Sequence, residues 1–309
     1  MKYAKRILAA VLVLALAFSL AGCSAFETRM AKAAARMKNV DNCRTDLDFH
    51  LDADVKMAGL SLMQLDTEVS GTLDVDRDHE TAKGTLHVNA MGEESDILIY
   101  LENDGTVQRV YSSDDNGKTW KLNENKSAPE SASGFLDIDD MIDLDREKLA
   151  LLSKLAATFE EYGTADVHDS QATLYRGRVS LQDFEEVANL TLMREMMSDA
   201  LDTELTEEDI TAIGEMPVIL GIDDKSGRIT FLALDMTETM QGITAIAMKT
   251  YVSELVSEKL GGLDFEMFGL TIGINDCELE ARLYDFNEVG FIVIPDNVRE
   301  SAVLMSPAF

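Results

Sequence analysis

Leu47-Asp-Phe-His-Leu-Asp-Ala-Asp-Val-Lys-Met57 places an apolar side chain at every odd position and a polar one at every even position. A period of two held this long marks an extended strand with one face in an oily core and the other in water. Gly59 is a turn candidate, and Met63 to Val75 repeats the pattern: Met63, Leu65, Val69, Leu73 and Val75 stand against Gln64, Asp66, Glu68, Ser70, Thr72 and Asp74. Leu86, Val88 and Ala90 open a third strand, Ile97 to Leu101 a fourth and Val107 to Ser112 a fifth, with Asn103-Asp104-Gly105 as a hairpin turn. The stretch 43–122 is therefore predicted to be an antiparallel meander, acidic on one face and apolar on the other.

An apolar sheet face this wide must be covered. Upstream, residues 24–42 read as a helix with Met30, Ala33, Ala34, Met37 and Val40 on one face and Arg29, Lys32 and Arg36 on another. Downstream, Asn123 to Gly134 reads as a surface loop, and Ile138, Met141, Ile142, Leu149, Leu152, Leu155, Ala156 and Phe159 follow at helical spacing up to Gly163. Ala172 to Val179 returns to strand, and Phe184, Val187, Ala188, Met193, Met197 and Leu201 trace another helix. Thr206 with Asp209 resembles a helix cap and Gly214 a stop. A hairpin is expected from Val218–Ile222 and Ile229–Met236, then a helix from Ile243 to Leu260. Phe268, Leu270, Ile272 and Ile274 are even, whereas Cys277, Leu279, Ala281 and Leu283 are odd; one extra residue at Asn275-Asp276, a β-bulge, explains the change of phase. Phe291 to Ile294, ended by Pro295, is the last expected strand.

At the other end, Lys2, Lys5 and Arg6 precede an apolar run from Ile7 to Phe18 and the sequence Leu20-Ala21-Gly22-Cys23. This resembles the bacterial lipoprotein signal: a branched apolar residue, two small ones and a cysteine. The resemblance implies removal of residues 1–22 and a diacylglycerol on the Cys23 sulfur, which places the rest outside the cytoplasm on a membrane. The chain of 309 residues carries 27 basic and 57 acidic residues; without the three basic residues of 1–22 the balance is 24 against 57, or −33. That excess makes nucleic acid an improbable partner, since phosphate binding needs clustered Lys and Arg. With 46% hydrophobic residues the acidity belongs to the surface of a folded protein. Cys43 and Cys277 remain, as one disulfide outside the cytoplasm or as two buried thiols.

Three pieces of the second half carry a family resemblance. They are Ala172-Thr-Leu-Tyr-Arg-Gly-Arg-Val-Ser180, then Ile222-Asp-Asp-Lys-Ser-Gly-Arg-Ile229 feeding Leu234-Asp-Met-Thr237, and Asp285-Phe-Asn-Glu-Val289 with Ile292-Val-Ile-Pro295. With a lipidated cysteine, a helix and a meander, they resemble the LolA-like lipoproteins, including the LppX and LprG branch. The resemblance implies an α+β fold: one domain over 23–309, built on a curved antiparallel sheet, an unclosed half-barrel, with helices on its concave face. Its first half would be 43–122 and its helical and second-sheet half 135–300. Some members hold lipids or acyl chains in that cavity, without catalysis.

On this reading, Phe49, Leu51 and Val55, with Leu65, Val69 and Leu73, and Leu86 and Val88, line a cavity for a hydrophobic ligand. Substantial helices over the concave side point instead to a filled cavity, in an envelope scaffold or protein-interaction module. No cofactor and no metal is expected, and the chain is not read as an enzyme. Asp74-Val-Asp76-Arg-Asp78 begins like a calcium loop, but His79 and Thr85 stand where Gly and Glu are needed. Asp137, Asp139, Asp140, Asp143 and Asp145 fit no ordered ligand spacing and suit an acidic helix start. Ser113-Asp-Asp-Asn-Gly-Lys-Thr-Trp120 matches the Asp-box of sialidases, a structural turn that repeats in propellers and occurs once here.

Overall fold

The computed structural model describes residues 25–37, 39–104, 107–126, 158–180, 206–259 and 270–305. Alternation in the sequence becomes one twelve-stranded sheet. The first meander runs β1 (Asn42–Met57), β2 (Leu60–Asp76), β3 (Thr81–Ala90), β4 (Glu93–Asn103), β5 (Val107–Ser113) and β6 (Lys121–Lys126). The second runs β7 (Glu160–Val167), β8 (Ser170–Ser180), β9 (Glu215–Asp223), β10 (Ile229–Asp235) and β11 (Leu270–Tyr284). The strand order is β12-β6-β5-β4-β3-β2-β1-β11-β10-β9-β8-β7, where β12 is the short Val303–Leu304. Among the described residues the sheet does not close on itself, and only the pairing of β12 with β6 is parallel. The two meanders meet where β11 pairs with β1, from Arg44 opposite Tyr284 to Met57 opposite Leu270.

The expected bulge is present: Asp52 pairs with Asp276 and Ala53 with Ile274, so Asn275 is the additional residue. It lets Ile274 and Cys277, of opposite parity, both reach the apolar side, where they pack with Ala53.

Helix α1 (Ala25–Met37) buries Phe26, Met30, Ala33 and Met37, one helical stripe, against Val75, Ala82, Val218, Leu220 and Ile222 of the sheet. Phe26 stacks on Phe159 with ring centroids 5.2 Å apart and tilts against Tyr175 at 4.5 Å. The basic face turns to protein: Arg29 bonds Asp224, Arg36 bonds the Ser226 carbonyl, and Lys32 is exposed. Arg77 donates to the Met37 and Val40 carbonyls at 3.1 and 2.7 Å, satisfying the helix end with a cation where the dipole favours one.

Helix α2 (Glu207–Ile213) has the expected cap: Thr206 accepts from the Asp209 amide while Asp209 accepts from that of Thr206, and Gly214 ends it at φ 85°. Helix α3 (Thr237–Lys259) follows β10, and a short α4 (Asp296–Ser301) precedes β12.

Several sequence expectations change. Lys121–Lys126 is a strand where a loop was expected from Asn123, and Gly163 lies inside β7 rather than ending a helix. Residues 291–295 pair with no described strand; they form an extended strap whose Ile292 and Ile294 are buried and whose Phe291 and Val293 are exposed. The helices expected from Ile138 and from Phe184 lie outside the described residues, except that Phe159 is placed just before β7.

The disulfide alternative is also corrected. Cys43 and Cys277 are both free and buried. Cys277 sits opposite Leu51, eight residues along β1 from Cys43, which is about 27 Å of strand and several times the reach of a disulfide. Burial pushes the Cys43 thiol up to about 11. In a chain carrying Cys23→Ser, neither thiol should react with Ellman's reagent while the protein is folded. Both should react in denaturant without prior reduction; release that requires a reductant would contradict the structure.

Candidate functional site

Strand register places all eight expected lining residues on the face that α1 occupies. Phe49 lies opposite Val69 and Val69 opposite Val88, giving one row; Ala53 opposite Leu65, and Val55 opposite Met63, continue the band outward. Leu73, 7% exposed, belongs to the closed core with Met37, Val75 and Ala82, so it lines no open space. Leu86 leans on that core and stays half-buried. Phe49, Leu51 and Leu65 ring the buried Ala53, Ile274 and Cys277, together with Met236 and Met240 at the start of α3. Val55, Val69 and Val88 are half-buried.

The inner face thus has a sealed lower end under α1 and a half-buried apolar band above it. Met236 and Met240 were not expected in this band. By sequence Met236 ends a hairpin strand and Met240 falls between that strand and the helix expected from Ile243; the β10–β11 pairing is what carries them there. The band is apolar except for Thr67, which stands between Leu65 and Val69 opposite Leu51, so its chemistry is that of burial with one hydroxyl. Cys23 lies outside the described residues.

The outer face over β1, β2 and β11 is polar and acidic, with its cations held by carboxylates, whereas over β4–β6 the same face carries the cluster of Tyr111, Trp120, Ile294 and Val298. Arg44 bonds Asp74 at 2.7 Å and Asp285 at 3.1 Å, Arg282 bonds Asp48 at 2.9 Å, and His50 lies between Asp276 at 3.0 Å and Asp66 at 3.4 Å. A groove of about 770 Å³ on this face lies between Tyr284 and Trp120, over Ser70, Thr72, Lys83 and Thr85. Its cations are engaged: Arg44 and Lys83 share Asp74, and His87 holds Asp96 at 2.9 Å. Tyr284 donates to Asp46 at 2.9 Å, and burial together with that carboxylate pushes its hydroxyl up to about 12.

The Asp-box segment is a self-contained turn. Asp115 accepts from Ser113 Oγ, the Lys118 and Thr119 amides and Thr119 Oγ1 within 2.7–3.0 Å, and Trp120 is buried behind it. The Thr119 amide leads these donors in holding the carboxyl far below its usual range, which leaves no capacity for general-acid chemistry. Asp76, in the incomplete calcium loop, is buried and bonded by the His79 amide and imidazole. Among the described residues, no three His, Cys, Asp or Glu side chains are arranged to hold a metal ion. Asp137, Asp139, Asp140, Asp143 and Asp145 lie outside them.

No family model matches the chain, and no curated protein does. Solved structures similar to it include the lipoprotein LppX of Mycobacterium tuberculosis, with 11% identity, a TM-score of 0.39, and coverage of 86% of this chain and 97% of that one. Another is LprF from Mycobacterium bovis, with 8% identity, a TM-score of 0.38, and coverage of 87% and 95%. A β-barrel-like protein of a domain of unknown function from Brucella abortus matches at 10% identity and a TM-score of 0.21, over 79% and 96%. These figures describe a loose likeness of strand arrangement and transfer no residue role.

Asp74 ties the first meander's outer face together, and its ionisation sets an acid limit. Burial acts to raise its carboxyl, but the Arg44 bond and the charges of Arg44 and Lys83 outweigh it and hold the group below the usual range. A depressed carboxyl contributes stability that is complete above the unfolded value of about 3.9 and is lost as pH falls through the folded value. Asp74→Asn should therefore lower the melting temperature at neutral pH and flatten its decline below about pH 4. An acid limb as steep as that of the unsubstituted protein would remove Asp74 from the account.

Proposed function

We propose that this chain is a membrane-anchored lipoprotein of the extracytoplasmic face that holds a hydrophobic ligand, a lipid or acyl chain, without catalysis. The observation that carries the reading is the half-buried apolar band of Phe49, Leu51, Val55, Leu65, Val69 and Val88, which runs across three paired strands with Thr67 as its polar member. A surface residue pattern this regular, left only partly covered by the described elements, is suited to bury alkyl chain. The lower inner face is filled by Met30 and Met37, so the ligand would lie above α1. In this reading residues 1–22 are the signal, and the anchor is the lipid on Cys23. Among the described residues no helix is long and apolar enough to cross a membrane.

Each buried methylene contributes about 0.8 kcal/mol, so about ten give near 8 kcal/mol, micromolar affinity before ordering costs. Affinity for a series of saturated fatty acids, followed by displacement of a fluorescent analogue, should therefore rise roughly fourfold per methylene. Val69→Asp should abolish uptake while keeping the strand spectrum of the native protein. If neither native mass spectrometry nor the fluorescent analogue detects binding, the band is filled, and an envelope scaffold meeting its partner through the acidic face becomes the better account. Separately, Cys23→Ser should move the protein produced in a lipoprotein-processing bacterium from the detergent phase to the aqueous phase. Persistence in the detergent phase would contradict the anchor.

A further inference from the structure

The hairpin joining β1 to β2 is built against the usual rule for a water-facing turn. Its central residues, Ala58 and Gly59, both have positive φ, 51° and 79°, as a two-residue primed turn requires. Polar residues, Asn above all, favour that conformation in water. Of the seven non-glycine residues with positive φ among those described, Glu80, Asn116, His168, Asp285 and Asn287 obey this preference. The exceptions, Ala58 and Met91, lie in turns at the same end of the sheet.

The tip also projects. β3 ends with Ala90 opposite Thr67, so Leu60–Asp66 of β2 extends past it by about 20 Å. From Met57 to Leu65 the chain carries no charge, between Lys56 and Asp66, in a protein whose residues are 27% charged. Leu60 is 72% exposed, Leu62 56%, Met63 46% and Met57 41%. Met57, Leu60 and Met63 continue the inner band, since Met57 pairs with Leu60, Val55 with Met63, and Ile272 with Val55 from the β11 side, while Leu62 is the extra residue of a bulge between them.

We propose that this hairpin tip docks the protein on the surface of a lipid bilayer. The occupant follows from charge and chemistry. An uncharged apolar tip on a strongly acidic body suits hydrocarbon at an interface, and the acidic outer face keeps the rest of the sheet away from anionic headgroups. Insertion is shallow, because the outward backbone groups of Leu60–Leu65 have no described partner strand and must remain hydrated. The proposal extends the ligand reading by supplying an apolar path from membrane to band, and it uses the Cys23 anchor only to put a membrane within reach.

The test uses the mature chain from residue 23 with Cys23→Ser, mixed with phosphatidylcholine vesicles and sedimented. The unlipidated protein should cosediment, and Leu60→Asp with Leu62→Asp should lower its partitioning at least about tenfold. Val303→Asp with Leu304→Asp, an equally exposed apolar pair on β12, should leave partitioning unchanged. Circular dichroism and melting should be the same for all three proteins, since the altered side chains are exposed. Absence of cosedimentation, or equal loss in both variants, overturns the proposal. So does a dimer in sedimentation equilibrium that the tip variant alone dissolves, since the tip would then be a surface for a second copy. Uptake of a fluorescent fatty acid from water should survive in the tip variant. Vesicle binding without any such uptake would uphold docking while removing the ligand reading.

Discussion

The antiparallel ladder between β1 and β11 is the constraint on which the rest depends. It joins residues 44–57 to residues 270–284, the first strand to the last long one, and without it the meanders are separate sheets. Closing a loop of that length costs conformational entropy that no local contact returns. The return comes from burial: the ladder brings Ala281 and Leu283 into one core with Cys43, Val75 and Ile222, and α1 lays its methionines across the joined surface. The bulge at Asn275 is what makes the ladder usable along its whole length. A strand without it would send either Ile274 or Cys277 into water.

The same ladder organises the charges. Carboxylates of β1 and β2 alternate outward on neighbouring strands, an arrangement that would be repulsive by itself. Arg44, Arg282 and His50 are interleaved among them, and each bridges between strands. Burial acts to lower the His50 imidazole, but Asp276 and Asp66 outweigh it and raise it. The outer face over the centre of the sheet is thus tied across strands by these cations, with carboxylates still in excess. An acidic outside and an apolar inside leave the inner band and the uncharged hairpin tip as the surfaces suited to meet hydrocarbon.

The elements that reading the sequence missed share a cause. In β6, Lys-Leu-Asn-Glu-Asn-Lys, Leu122 is the sole apolar residue, and in β7 only Val167 is buried. Such strands near a sheet edge are held by backbone pairing, which leaves no imprint on side-chain pattern. The reverse error fell on residues 291–295. Ile292 and Ile294 alternate as in a strand, but they bury themselves as a strap; Ile294 packs beside Tyr111, Trp120 and Val298 with no described partner strand. Of the lining residues, Leu73 was misplaced for a similar reason: its face was legible, while the helix resting on that part of the face was not.

Local periodicity by itself determined the long strands, their oily and acidic faces, the bulge at Asn275 and the burial of one stripe of α1, and the pairing of Thr206 with Asp209 determined the helix cap. All but the cap follow from which side chains leave water, and a period of 2 or 3.6 records that choice directly. Tertiary structure alone decided that β11 pairs with β1, that Cys43 and Cys277 stand far apart, and that Met236 and Met240 join the apolar band. It also decided that α1 closes one end of the inner face and leaves the other partly open. These depend on pairing and packing between segments from about forty to more than two hundred residues apart, and the alternation along a strand is the same whichever neighbour it finds.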